Sequence, residues 1–231
     1  MNMRAEPQAG SIIIGALAFV ADPTGALYHP GQRLLVVADL HFEKGSAFAE
    51  RGVLLPPYDT RSTLKALALL ISRYAPETVI ALGDSLHDER ADERLDRGDL
   101  AALRELQHGR DWIWVTGNHD PVVPQVLGGR VVDTLVHGGV VFRHEAKGGS
   151  AAEVAGHLHP VARIRLRGRS VRRRCFAVAS KRCVLPAFGA YAGGLNVRDE
   201  AFRPLFPDGI TAHVLGTERI FTIAEPMLLP D

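Results

Sequence analysis

Two cysteines in 231 residues, Cys175 and Cys183, are too few to staple a secreted disulfide scaffold. They have the spacing to face each other across a hairpin centred near Ala179, but two buried small hydrophobes in a reducing compartment is the better reading. No apolar run approaches the roughly 20 residues of a membrane span, so no membrane partner is expected. Internal repeats, linkers and low-complexity tracts are missing as well, which leaves one domain over residues 1–231. With 46% hydrophobic and 23% charged residues, the composition excludes disorder, a collagen-like repeat and a coiled coil. A chain of this length buries roughly 70–75% of its unfolded surface and needs no staple.

A strong overall charge is also lacking, since 27 Lys and Arg face 26 Asp and Glu, for a net +1. The balance hides a local excess. Residues 161–182 hold Arg163, Arg165, Arg167, Arg169, Arg172, Arg173, Arg174, Lys181 and Arg182 without an acid, so the remainder sums to −8. Such a strip suits a polyanionic partner or a solvated hairpin. Arg163, Arg165 and Arg167 alternate with Ile164 and Leu166, giving one basic and one apolar strand face. No aromatic residues interleave with them, so base stacking there is not expected.

Arg4 followed by the apolar Ile12–Ala21 has the outline of a secretory signal, but Glu6 and Pro7 interrupt it and a cleavage site is poor around Val20-Ala21-Asp22. The β-branched Ile12-Ile13-Ile14 reads better as a strand, with Asp22-Pro23-Thr24-Gly25 turning into Ala26–Tyr28. A cytoplasmic location is then expected.

Further on, strands alternate with helices. Leu34–Ala38, Thr78–Leu82 and Trp112–Thr116 read as buried parallel strands. Thr60–Tyr74, with Asp59 as N-cap, and a segment near Leu100–Gln107 read as helices, the latter reached through a charged loop, Asp88–Arg97. After Pro121 the pattern changes to strands: a hairpin of Val131–Val136 and Val140–Arg143 about Gly138-Gly139, then Glu153–Ala155, Arg163–Arg167, Val171–Val178 and Cys183–Leu185. A Gly-rich stretch from Gly189 to Asn196 follows, and Ile210–Leu215 with Arg219–Ile223 closes the chain. The order predicts an α/β fold, a two-sheet α/β sandwich.

Polar residues stop the apolar strands at informative places. Three successive strands end in Asp39-x-His41, Gly83-Asp84 and Gly117-Asn118-His119-Asp120. Ligands of open α/β sheets bind beyond the carboxyl ends of the strands, so these groups should converge. Gly83 and Gly117 suit a sharp exit where a side chain would block a close approach. His157 and His159 would point the same way if their segment is extended. Carboxylate, amide oxygen and imidazole together suit Mn²⁺, Fe²⁺ or Zn²⁺, and the lack of cysteine argues against a structural thiolate zinc site. Seven such groups fit two ions better than one.

The ordered set Asp39-x-His41, Gly83-Asp84, Gly117-Asn118-His119-Asp120, a later His and Gly156-His157-x-His159 resembles the calcineurin-like metallophosphoesterases. Asp39-Leu40-His41-Phe42-Glu43-Lys44-Gly45, Gly83-Asp84-Ser85-Leu86-His87-Asp88, Gly156-His157-Leu158-His159-Pro160 and Pro186-Ala187-Phe188-Gly189-Ala190-Tyr191 are similar to a bacterial branch, the ligase-associated DNA damage response endonucleases of PdeM type. The resemblance implies a four-layer sandwich and two divalent ions, Mn²⁺ foremost. Asp39, His41 and His159 would hold one, Asn118, His144 and His157 the other, with Asp84 bridging. A bridging hydroxide would attack phosphorus in line. His119 would protonate the departing oxygen, with Asp120 holding its ring.

His137 and His144 both stand where the family has its later histidine. The arms of a hairpin run oppositely and His137 sits at the turn, so His144 is the favoured ligand. His87 would face either substrate or solvent. Glu43 and Lys44 would contact substrate or form a surface ion pair. His29, His108 and His213 belong to no constellation.

The implied activity is metal-dependent hydrolysis of phosphoesters, with DNA as substrate, in ligase-associated repair beside a ligase or helicase. Arg163, Arg165, Arg167, Arg172 and Arg174 would then track the phosphate backbone. The competing arrangement pairs these arginines with the acidic residues 88–99. Two other functions stand beside the nuclease: a phosphatase or phosphodiesterase of nucleotides or other small phosphoesters, and a non-catalytic DNA-binding accessory. The complete ligand set weighs against the latter.

Overall fold

The computed structural model describes residues 10–56, 58–166 and 168–231. Arg4, Glu6, Pro7 and Arg167, which figure in the sequence-based expectations, lie outside these residues. The first sheet opens with an antiparallel meander, β1 (Ser11–Ile14), β2 (Leu17–Ala21), β3 (Leu27–His29) and β4 (Leu34–Val37). It continues in parallel through β5 (Thr78–Leu82), β6 (Asp111–Val115) and β7 (Arg130–Val132). Between these strands run α1 (Lys44–Glu50), α2 (Asp59–Tyr74), α3 (Ala91–Arg94) and α4 (Arg97–Gln107).

The second sheet is built from β8 (Thr134–His137), β9 (Val140–Arg143), β10 (Ala152–Ala155), β11 (Pro160–Leu166), β12 (Arg169–Ala179), β13 (Arg182–Val184) and β14 (Leu195–Asn196). Its order is β14-β11-β12-β13-β10-β9-β8, and β15 (Thr211–Leu215) joins it through β12 and carries β16 (Ile220–Ala224).

Period-two alternation explains why the sheets stack. Leu34, Val36, Ile80, Leu82, Ile113 and Val115 meet Phe142, Val154, Phe176 and Cys183 of the second sheet in one buried core. Their strand neighbours Leu35, Val37, Val79, Ala81, Trp112 and Trp114 face the other way, onto Leu64, Leu67, Leu70 and Ile71 of α2 and Leu103 of α4. The outer face of the second sheet, Cys175, Ala177, Val184 and Ala212, is covered by Val197, Phe202, Phe206 and Ile210 from loops and a 3-10 turn. Each buried Leu, Ile or Phe contributes about 1.5–3 kcal/mol. Among the described residues no helix is long and apolar enough to cross a membrane.

Several local expectations need correction. Residues 131–136 are not one hairpin arm: β7 ends the first sheet and β8 starts the second, with Asp133 between them. The N-cap of α2 is Tyr58; Asp59 lies in its first turn, where its buried carboxylate accepts from the Gly45 N–H instead. Helix α1, in the stretch after His41, had no signal in the apolar pattern because it is short and rich in small residues. The two cysteines are, as expected, buried free thiols; they belong to different cores, Cys175 outside and Cys183 between the sheets.

Candidate metal centre

The strand ends do converge, and the backbone shows how. Beyond β4 and β5 the chain leaves regular pairing, yet Asp39 donates to Gly83, His41 to Asp84, Phe42 to Ser85 and His87 to Phe42. These bonds zip residues 39–42 against residues 83–87 and set Asp39 and His41 beside Asp84. A Cβ on Gly83 would overlap the His144 ring, and one on Gly117 the backbone nitrogen of Asp84. Asp39 (φ 54°), His41 (φ 46°), Asp84 (φ 45°), His157 (φ 69°) and His159 (φ 46°) all adopt left-handed backbone. Strain of this kind costs of order 1–3 kcal/mol per residue and persists only where surrounding contacts impose it.

Two groups of donor atoms result. Asp39, His41 and His159 form one, with His41 Nε2 3.3 Å from His159 Nε2 and Asp39 Oδ1 3.4 Å from His159 Nε2. Asp84, His144 and His157 form the other; His144 Nε2 is 3.4 Å from Asp84 Oδ1, 3.1 Å from His157 Nδ1 and 2.9 Å from Asn118 Oδ1. His144 Nδ1 lies 2.9 Å from the Leu82 carbonyl, which can only accept, so Nδ1 carries the proton and Nε2 offers its lone pair to the cluster. His137, by contrast, sits at the hairpin turn and bonds Gln32, so of the two alternatives only His144 joins the group.

The paired histidines are not extended as expected. Residues 156–159 bend, with Leu158 donating to Gly156, and His157 and His159 are sent to different groups. The His157 N–H donates to both oxygens of Asp39, 3.2 and 3.0 Å away, which ties the groups together.

Asp120 does not hold the His119 ring. Its fully buried carboxylate accepts four backbone N–H bonds, from Asp84, Ser85, Leu86 and Gly117, at 2.8–3.1 Å. It therefore braces the two loops that carry Asp84 and Asn118. Burial pushes its pKa up to about 6 against the pull of those N–H groups, with Asp84 adding to the rise. The partner of His119 is a backbone oxygen: Nδ1 lies 2.7 Å from the His87 carbonyl. His119 Nδ1 thus bears a proton, leaving Nε2, 4.0 Å from Asp84 Oδ2, toward the cluster.

Sequence reasoning undervalued His87. It is buried, stacks on His119 with ring centroids 5.4 Å apart and closes a third group with His41 and His119. Its only sequence signal was its position three residues after Asp84. Burial, then Lys44, push its pKa down to about 4, and burial with His159 pushes His41 down to about 2. Glu43 is neither a surface ion pair nor free: it is buried and accepts from Thr60 and Ser46, fixing α1 to α2.

The fit to cations follows from charge. Asp39 and Asp84 are at most 2% exposed, and their ion-pair neighbours are all imidazoles, with no Lys or Arg within reach among the described residues. Two buried anions without a cation are costly, and imidazole nitrogens facing one another cannot all be protonated. Divalent ions would satisfy both conditions.

A family model for calcineurin-like phosphoesterases matches residues 32–169. The chain belongs to the calcineurin-like phosphoesterase family. Its sandwich is the fold of that family, and it is a hydrolase of phosphoester bonds; the family uses divalent metals, and the His and Asp groups here could hold them. Among solved structures it is similar to the nuclease MPE of Pseudomonas putida, at 28% identity and a TM-score of 0.72, over 93% of this chain and 100% of that one. It also matches the phosphoesterase Yfce of E. coli, at 15% identity and a TM-score of 0.42, over 83% of this chain and 98% of that one. A search of curated protein sequences finds no match.

The arginine strip is not one surface. Arg182 is buried against Glu153, with Arg143 3.6 Å from the same carboxylate. Register pairs Arg163 with Arg172 and Arg165 with Ser170, so these share a face with Arg174, whereas Arg169 and Arg173 take the other. Nor, among the described residues, do the strip arginines pair with the acidic loop: Asp88, Glu93, Asp96 and Asp99 pair with Arg61, Arg90 and Arg94.

Proposed function

We propose that this phosphoesterase cuts DNA, with Asp39, His41 and His159 holding one divalent cation, Asn118, His144 and His157 a second, and Asp84 between them. The convergence of these donors on the buried Asp39 and Asp84, with no compensating Lys or Arg among the described residues, carries the reading. The likeness to a nuclease over nearly the whole chain supports the choice of substrate. The motif resemblance supports Mn²⁺ as the ion and ligase-associated repair in the cytoplasm, beside a ligase or helicase, as the setting.

Bound cations would supply neutralisation of the phosphoryl oxygens and a more acidic water for attack on phosphorus. The chain's own residues do the rest. The His144 ring is oriented by the Leu82 carbonyl, and the backbone N–H of His157 is held by Asp39. His119, its side chain 41% exposed, can be reached from solvent. As an imidazolium anchored through Nδ1–H, it gives its Nε2 proton to the departing sugar oxygen. Asp120 keeps the loops of Asp84 and Asn118 in register without touching the ring.

Cleavage of single-stranded, duplex and nicked DNA with added Mn²⁺, by wild type and Asp84→Asn, tests this reading. Wild-type cleavage with a loss of about 10²–10³-fold in the variant is expected. Equal turnover by both, or hydrolysis of small phosphoesters with DNA left intact, contradicts it.

A further inference from the structure

Beside the Asp39–His159 half of the centre lies a cavity of about 350 Å³, lined by Ser62 and Thr63 of α2, Phe188 and Tyr191 of the Gly-rich loop and Arg174 of β12. The loop is pinned to the centre at both ends. Phe188 donates to Ala38 and Gly189 to Asp39, while Leu195 donates to His159. The cavity therefore adjoins the backbone that carries two of the proposed ligands.

Strand periodicity explains the arginine in it. Phe176 and Val178 of β12 point into the core between the sheets, so Arg174 and Arg172, two and four residues earlier than Phe176, continue on that same face. Arg172 and its cross-strand neighbour Arg163 are engaged by the C-terminal segment: Arg172 lies 3.4 Å from Asp231 and Arg163 donates to Pro230. Arg174 is different. It is half-buried, its hydrogen bond goes to the Ala187 carbonyl, and among the described residues no acid stands beside it. Burial alone holds its pKa below the ordinary arginine range. A guanidinium taken out of water without a counter-charge is stabilised by an arriving anion.

Tyr191 is the second observation. It keeps a left-handed backbone (φ 60°), which is unfavourable for a bulky side chain, and is held there by its hydroxyl donating to the Pro56 carbonyl at 3.0 Å. Thr63 accepts from the adjacent Ala190 N–H and fixes the loop to α2. The tyrosine remains 42% exposed. A braced, exposed aromatic next to an uncompensated cation matches how single-stranded nucleic acid is held, by backbone charge and base stacking.

We propose that this cavity is a nucleotide subsite, in which Arg174 takes the phosphodiester next to the one being cut and Tyr191 stacks on the base. The inference rests on the polynucleotide reading above and extends it to a site outside the metal cluster. It also supplies the aromatic contact that the arginine strip lacks in sequence, from a residue beyond the strip.

The test is steady-state cleavage of a single-stranded oligonucleotide by the full chain with Mn²⁺, across a range of salt, beside hydrolysis of bis-(para-nitrophenyl) phosphate. Arg174→Gln should raise KM for the oligonucleotide about ten-fold with kcat retained, and flatten the slope of log(kcat/KM) against log salt by about 0.7. Arg174→Lys should restore the slope. Tyr191→Ala should raise KM about five-fold or more and leave the slope alone. On the small diester, which does not extend into the cavity, both variants should stay within about two-fold of wild type. Wild-type KM and slope in Arg174→Gln, or equal losses on both substrates, overturn the subsite. Should Arg174→Gln fail to fold, Tyr191→Ala decides alone, and a wild-type KM in it overturns the proposal. A wild type that hydrolyses the diester and ignores the oligonucleotide instead overturns the nuclease reading itself.

Discussion

The metal edge and the arginine hairpin are neighbours in the chain and opposites in construction. At the metal edge, residues of different types from five separate segments converge around the buried Asp39, His41, Asp84 and His144 and serve one purpose. In the hairpin and its continuation, residues of one type from one segment serve several. Arg182 closes a buried ion pair, Arg174 lines a cavity, Arg163 and Arg172 meet the C-terminal segment, and Arg169 and Arg173 point to the opposite face. A run of like charge in sequence is therefore not a surface until period and register have divided it. A scattered set of ligands, in contrast, becomes one site because strand ends of an α/β sheet lie at a common edge.

The first way to sharpen this contrast is Asp120→Ala. It leaves four buried N–H groups without an acceptor and should lower stability by about 4 kcal/mol or more, read from denaturant midpoints. A near-neutral effect would mean that the two loops hold their places without it. The second probes the arginines against each other. Arg182→Ala breaks the buried pair with Glu153, leaving that carboxylate only Arg143 as a cation, and should cost about 3 kcal/mol. Arg165→Ala, exposed on the hairpin, should stay within about 0.5 kcal/mol. Similar losses for the two would erase the distinction between them.

Next in size is His119→Ala. Removing a general acid should slow cleavage of DNA about 10²-fold, because a sugar alkoxide is a poor leaving group. It should slow an aryl diester far less, since a nitrophenolate departs without a proton. Equal losses on both substrates would give the ring another role.

The smallest effect is on pH. His41 and His87 take up protons below about 6.5 in the unfolded chain, but only near about 2 and 4 when folded. The metal-free protein should therefore lose stability as pH falls below about 6.5. Asp120, raised to about 6, works in the opposite sense between about 6 and 4 and offsets part of this loss. His29 and His213, both lowered by burial, act in the same sense, so the metal edge supplies the largest part of this sensitivity and not all of it. Urea midpoints in chelator that stay flat from pH 8 to 5, a window set by the histidine range, would contradict the assignment.

Much of this was legible in the chain. Three of the four parallel strands of the first sheet, β4 to β6, and their polar ends were readable because an apolar run that stops at Asp, Asn or His marks where a buried strand leaves its sheet. Position on a hairpin was enough to prefer His144 over His137, and the fold brings His144 alone to the cluster. What could not be read depended on backbone detail. Left-handed φ at His157 and His159 replaced the extended pairing, and four N–H bonds drew Asp120 away from its neighbouring ring. Residues 131–136 looked continuous because both halves are apolar, although the chain changes sheets at Asp133. Tyr191 stood in the sequence only as the end of a motif, since its place beside Arg174 arises across the fold.

The central claim is that the edge formed by Asp39, His41, Asp84, Asn118, His144, His157 and His159 holds paired cations. Anomalous diffraction from crystals soaked in Mn²⁺ tests it most directly. Two peaks flanking Asp84, about 3.5–4 Å apart, are predicted. A single peak, or peaks away from these side chains in crystals that bind the ion elsewhere, would contradict it.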